Sequence, residues 1–294
     1  MREEALLAKR IRISKNRKAL KKVLIYTFLT LGGVTMILPF LWMISTSLKS
    51  FNSVFIFNIS AVQWIPRPIY WKNYIDVWKV VPFARFYLNS IFVCVCVTFG
   101  QVATSALAAY AFARLRFPGR DKLFFAYLAT MMIPGSVTMV PVFTMMSMFG
   151  WIDSYKALII PAIFSAYGTF LLRQFFMTLP RDLEDAAKID GCSLWGIFWK
   201  VILPLSHTAL ATLTIFVSLG NWVSFMWPLL VTNSIEKKTL PIGLAYFQEL
   251  YQYAQPDWGL LMAGSLVTMV PIIIVFLFNQ RFFIEGIKLT GMKG

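Results

Sequence analysis

The chain has 294 residues, of which 58% are hydrophobic and 16% aromatic, with a mean hydropathy of +0.67. Soluble domains hold roughly 45–50% apolar residues, so a soluble globular enzyme is excluded at the outset. The formal charge of +15 invites a nucleic-acid reading, but the basic residues divide by loop rather than gathering on one aromatic-bearing module, so no nucleic-acid partner is expected.

In chain order, residues 1–22 form a basic N-terminal segment holding nine Lys or Arg, and the first charge-free run, Val23–Leu48, follows it. That run is longer than a signal-peptide core and has no small-residue cleavage site, so it reads as an uncleaved first span. A long loop, 49–85, carries Trp64, Trp71 and Trp78 at seven-residue intervals. Within it, YWKNYIDVWKVV (Tyr70–Val81) predicts a short interfacial helix with Trp71 and Trp78 on one face, open to lipid headgroups or to a partner.

Five further runs follow: Phe86–Ala113, Leu123–Ile152, Ala157–Leu172, Val201–Ile235 and Trp258–Gln280. All but Ala157–Leu172 exceed the roughly 20 residues needed to cross a hydrocarbon core. The short run is expected to lean on Ser154 and Tyr155 while Lys156 snorkels. Pro39, Pro134, Gly135, Pro141, Pro228 and Pro271 interrupt the runs, as packing kinks or as the broken helices of a transport core. Six spans place both termini on one side. The loops of that side carry 20 Lys and Arg against 8 on the other, which makes it cytoplasmic. Cys94 and Cys96 diverge on a helix and Cys192 stands apart, so neither a disulfide framework nor a metal quartet is expected.

The cytoplasmic segment after Pro180 is acidic. Asp182 is expected to cap a two-turn helix from Leu183 to Asp190, Gly191 to end it in the left-handed conformation, and Ser193 to cap a second helix ending before Pro204. Leu183, Ala186, Ala187 and Asp190 share a face, while Glu184 and Lys188 are spaced as an i,i+4 pair. The segment reads equally as a solvated connector or as a knob for a partner.

At these residues a resemblance enters. DAAKIDGCSLWGIFWKVILP (Asp185–Pro204) resembles the cytoplasmic signature of permease subunits of binding-protein-dependent ABC importers, with Asp185 where the pattern usually has Glu. Asn89–Asp121, Met131–Phe143, Thr239–Phe247 and Gln280–Gly294 are similar to the carbohydrate branch, the MalG-type permeases. The resemblance implies an all-α, polytopic MetI-like fold with a six-helix permease domain over 23–280, a coupling loop over 180–204 and a cytoplasmic tail over 281–294. It implies half of a heterodimeric pore, completed by a second MalF/MalG-type permease. Two ATPase subunits would bind ATP and Mg, and an extracytoplasmic sugar-binding protein would deliver the cargo. By position it makes Glu184, Asp185, Ala186, Ala187, Asp190 and Gly191 coupling residues. It also places Tyr246, Phe247, Gln248, Tyr251 and Tyr253 in a loop that meets the binding protein, and Lys288–Gly294 in a tail between the ATPases.

The chain contains no Gly-Lys dipeptide and hence no P-loop, so no catalytic residue or cofactor is expected here. A secondary transporter is the alternative, but such proteins place acids within the membrane, whereas all 13 acids fall outside the six runs. His207 reads as an interfacial histidine or as a proton relay. Polar residues within the spans that could line a sugar path are Asn89, Gln101, Ser105, Ser165, Tyr167, Asn221 and Ser224. The cargo is expected to be an oligosaccharide, neutral or uronic like alginate fragments.

Overall fold

The computed structural model describes residues 2–51, 64–250 and 257–291, and among these it is helical without strands. Four helices are long and apolar enough to cross a membrane, or six if two sharply bent pairs each count as one span. The chain divides into two compact units, Met1–Val77 with Pro256–Leu266 and Trp78–Gln255 with Val267–Gly294.

In the first unit, α1 (Arg2–Ser47) runs through residue 22 without a break and tolerates Pro39. Its apolar side chains face outward, Phe28 being 78% and Met36 75% exposed, which suits a helix bathed in lipid. Beyond its end, Asn73 opens α2 (Asn73–Val80) and donates from Nδ2 to the carbonyls of Ser47 and Lys49, each at 2.8 Å. One side chain thereby satisfies two acceptors at a helix terminus, where carbonyls have no intrahelical partner. The expected interfacial helix is present, but Trp71 precedes it in a turn, so Trp71 and Trp78 do not share a helical face.

The second unit is built around α3 (Phe83–Arg114), packed against α7 (Ala166–Thr178) and α11 (His207–Trp222). Lipid is as apolar as leucine, so contacts in such a core come from close packing and interhelical hydrogen bonds rather than from escape from water. The sequence supplies small residues for this. Ala106, Ala109 and Ala113 recur along one buried stripe of α3, and a Cβ on Gly168 of α7 would stand 2.5 Å from Ser105 Oγ. Trp227 Nε1 donates to Ala157 O at 2.9 Å and Trp222 Nε1 to Thr268 O at 3.0 Å.

Three spans depart from the charge-free runs. The third is a bent pair, Arg120–Met132 and Gly135–Met148, angled by 100° at Pro134, which supplies no N–H to continue the ladder. It comprises α4 (Arg120–Ala129), a 3-10 turn and α5 (Gly135–Met148). The fourth lengthens to Tyr155–Thr178, through α6 (Tyr155–Ile159), a 3-10 turn at Ile160–Ile163 and α7. It passes Arg173 because that side chain is satisfied: Nε donates to Phe112 O at 3.3 Å and the guanidinium lies 4.0 Å from the Phe124 ring centroid. The fifth bends by 78° at Ser206, between Leu194–Leu205 and α11, and α12 (Met226–Val231) follows as a separate piece. His207 lies at that bend, its Nδ1 3.2 Å from Pro204 O. The last helix is α14 (Trp258–Gly291).

Candidate functional site

The acidic loop folds as two helices joined by a glycine elbow. Helix α8 (Asp182–Ile189) starts one residue earlier than expected: Arg181 is its N-cap and Asp182 lies inside the first turn. Asp182, Glu184 and Asp185 there complement the positive end of the helix dipole. At the other end Gly191 has φ +79°, its N–H donates to Lys188 O at 3.0 Å and that of Cys192 to Ala187 O at 2.9 Å. This is a Schellman stop, and it needs a residue that enters the left-handed region freely. Ser193 Oγ then accepts from Gly196 N at 3.1 Å, capping α9 (Leu194–Ile197) as expected. That helix does not end before Pro204. It widens into a π-turn at Phe198–Ile202 and continues as α10 (Leu203–Leu205), with Pro204 in the first turn where its missing N–H costs nothing.

The expected Glu184–Lys188 pair does not form. Glu184 is 7% exposed, and its Oε1 lies 3.0 Å from Nε of Arg114, the last residue of α3, as a buried ion pair rather than a linear hydrogen bond. The same guanidinium donates to the carbonyls of Phe176 and Leu179, the latter at 2.8 Å, at the C-terminus of α7. A cation is favoured there because the last carbonyls of a helix carry the negative end of its dipole. One arginine thus grips α3, α7 and α8. Sequence reasoning missed Arg114; the signal available was an arginine closing an otherwise charge-free span.

Lys188 instead meets Asp185 at 2.8 Å on the exposed side. The hydrogen bond from Lys188, and then its charge, hold the Asp185 carboxyl below the ordinary carboxylate range. Of the shared face expected, Leu183, Ala186 and Asp190 are exposed, whereas Ala187 packs against the core. Ile189 is 87% exposed. The outward surface of α8 is therefore a small, partly apolar knob rimmed by acids. Beside it opens a cleft of about 610 Å³ bordered by Arg116 and Arg181.

At the opposite end of α3, Asn89 braces a loop. Its Nδ2 donates to Glu236 O at 2.8 Å and Lys238 O at 2.9 Å, and its Oδ1 accepts from Tyr155 OH at 2.8 Å. Asp153, at φ +60°, fixes the same loop, with Oδ1 accepting from the N–H groups of Asn233 and Ser234 at 2.9 Å and from Ser234 Oγ at 3.0 Å. Burial pushes this carboxyl up, but those hydrogen bonds and the Lys237 charge outweigh it and hold it below its ordinary value. Of the residues expected in a loop that meets the binding protein, Tyr246, Phe247 and Gln248 lie in α13 (Leu240–Leu250). Phe247 is buried at 2% exposure, Lys238 covers the Tyr246 ring at 4.5 Å, and Gln248 is described by its backbone alone. Tyr251, Tyr253 and residues 292–294 of the tail lie outside the described residues.

Of the other path candidates, Ser105 is buried where α3 meets α7, Ser165 caps α7 by accepting from Gly168 N at 3.1 Å, Gln101 is half-buried on α3 and Tyr167 is exposed. Asn221 and Ser224 line a cavity. It measures about 350 Å³, and Gly135, Pro161 and Pro228, where three spans are interrupted, contribute to its wall.

Residues 101–287 match the family described as the binding-protein-dependent transport system inner membrane component. The chain belongs to this family. It is therefore the membrane permease of such an importer, and a secondary transporter is not what it is. The arabinooligosaccharide transport permease AraQ of Halalkalibacterium halodurans is 40% identical over 206 residues, 70% of this chain and 73% of that protein. The sn-glycerol-3-phosphate transport permease UgpE of Yersinia enterocolitica is 32% identical over 279 residues, 93% and 98% respectively. A crystal structure of a bacterial ABC transporter that imports the acidic polysaccharide alginate contains a chain of the same fold, with a TM-score of 0.79 at 23% identity, covering 90% of this chain and 96% of that one.

Proposed function

We propose that this permease is one half of a heterodimeric pore for ATP-driven carbohydrate uptake. A second permease of the family completes the pore, two ATPase subunits holding ATP and Mg dock beneath it, and an extracytoplasmic sugar-binding protein delivers the cargo. Both termini and α8 lie on the cytoplasmic side, in keeping with the Lys and Arg bias. Hydrolysis belongs to the ATPases, since this chain has no phosphate-binding loop. The oligosaccharide cargo named for AraQ supports a carbohydrate here.

The observation that carries the reading is the double-sided construction of α8. Its outer face, Leu183, Asp185, Ala186, Ile189 and Asp190, offers little bulk and acidic edges to a cleft in the ATPase. Its inner face, Glu184 and Ala187, is fastened to the subunit. When the ATPases close, α8 moves as a rigid body, and Arg114 passes the movement to α3 and α7 together. The Gly191 elbow and the π-turn pass it to the bend at Ser206. Bistable joints of this kind turn a small docking shift into a change of helix arrangement.

Replacing Ala186 by Trp tests this. The variant is expected to insert at normal abundance and to pair with its partner permease, yet to lose the ATPases on co-purification. Retention of the ATPases with unchanged stimulation by the binding protein would remove α8 from the coupling role.

A further inference from the structure

The cavity between the interrupted spans has a lining that restricts what can enter it. Its polar groups are Ser90, Thr138, Asn221, Ser224 and Thr239, its aromatic group is Trp227, and among the described residues no ionisable side chain contributes to the wall. Thr239 is 5% exposed and its buried hydroxyl has no hydrogen-bond partner. Asn221 uses its Nδ2 on Val217 O at 2.9 Å, which leaves its carbonyl oxygen as an acceptor. The Trp227 N–H is spent on Ala157 O, so the ring offers its apolar surface. The nearest lysines in sequence, Lys156, Lys237 and Lys238, lie over the Trp151, Tyr155 and Tyr246 rings at 6.0, 4.0 and 4.5 Å.

From this we infer that the cavity is a subsite for a neutral sugar unit of the cargo, one that rejects carboxylate- or phosphate-bearing cargo. The inference rests on the importer reading above and specifies its substrate class. Hydroxyls and an amide oxygen both complement sugar hydroxyls, and an indole face suits the apolar face of a pyranose or furanose ring. An anion entering the same space would give up its hydration without meeting a cation, which low-dielectric surroundings penalise heavily. The volume lies at the small end of the roughly 300–1,000 Å³ usual for small-molecule sites, enough for part of an oligosaccharide.

The test uses the whole importer in nanodiscs, with Cys94, Cys96 and Cys192 replaced by Ser or Ala and a single cysteine introduced as Ser224→Cys or, separately, Met139→Cys. The rate of thiol labelling is measured with arabinotriose, a trimeric alginate fragment or sn-glycerol 3-phosphate at equal concentration. Arabinotriose is expected to slow labelling at both positions by about three-fold, the protection expected at a concentration about twice its Kd, and the two anionic probes to leave it unchanged. Equal or better protection by either anion overturns the inference. Absence of protection by all three, in an importer whose ATPase still responds to its binding protein, also overturns it and leaves the importer reading standing. Failure of the chain to assemble with ATPases would instead sink that reading, and this inference with it.

Discussion

Arg114 and Glu184 are buried side by side, and a buried ion pair contributes little net stability while its disruption is costly. Glu184→Leu alone leaves the buried guanidinium without its counter-charge, though still bonded to two carbonyls, and should destabilise the subunit by about 3 kcal/mol. Adding Arg114→Met should recover part of that loss, because two apolar side chains fill the same space while the carbonyls of Phe176 and Leu179 give up the bonds from the guanidinium. Thermal unfolding of the purified complex reads both effects, and a double variant no more stable than the single one would mean that the residues do not act as a pair. Transport per ATP hydrolysed should stay low in the double variant, since the link from α8 to α3 and α7 is gone. The Gly191 stop and the Ser193 cap were legible in the sequence because they depend on neighbours in the chain. The Arg114 contact was not, because it joins residues far apart and Lys188 stood at the usual helical spacing from Glu184. Similarly, the polar residues of the spans all looked alike as path candidates. Only packing separates Asn89, bracing a loop, from Asn221, on a cavity.

Elements are held to one another by a few close approaches. A Cβ on Gly243 would stand 2.2 Å from the Phe86 ring, so α13 lies directly on α3 at that point. Gly243→Ala should cost about 1–3 kcal/mol through overpacking, and Phe86→Leu should relieve it; an unchanged unfolding midpoint for Gly243→Ala would contradict the close contact. The loop before α13 depends on Asp153. Its carboxyl is held below the ordinary value, so the bonds it accepts are fully present above about pH 4 and weaken only as pH falls through the lowered value. Amide hydrogen exchange at Asn233 and Ser234 should therefore respond no differently to pH between 5 and 8 than in Asp153→Ala. In that variant it should be faster throughout by about five-fold, corresponding to roughly 1 kcal/mol after allowance for solvent exposure. Equal exchange in the two proteins would mean that Asp153 does not secure the loop. The existence of the spans was legible from charge-free runs, but their ends and bends were not. Arg173 is carried inside a helix by a carbonyl and a ring that composition does not announce, and the effect of Pro134 depends on whether neighbours restore the ladder.

At the scale of the molecule, a permease of this family must convert events on one face into a change of access at the other. The proposed route runs from an exposed acidic helix, through an arginine that joins it to two core helices, to two bent spans that border a cavity with no charged side chain among its described residues. The membrane class and the family were legible from composition and from long motifs in order, whereas the route itself is tertiary and had no signature in any single stretch. The account's central claim is that energy enters through α8 from separate ATPase chains. Uptake of sugar into proteoliposomes, with ATP enclosed, the binding protein outside and ionophores added to dissipate ion gradients, tests it most directly. Uptake is expected to require both ATP and the binding protein and to be indifferent to ionophores. Uptake that proceeds without ATP and collapses with the ion gradients would contradict it.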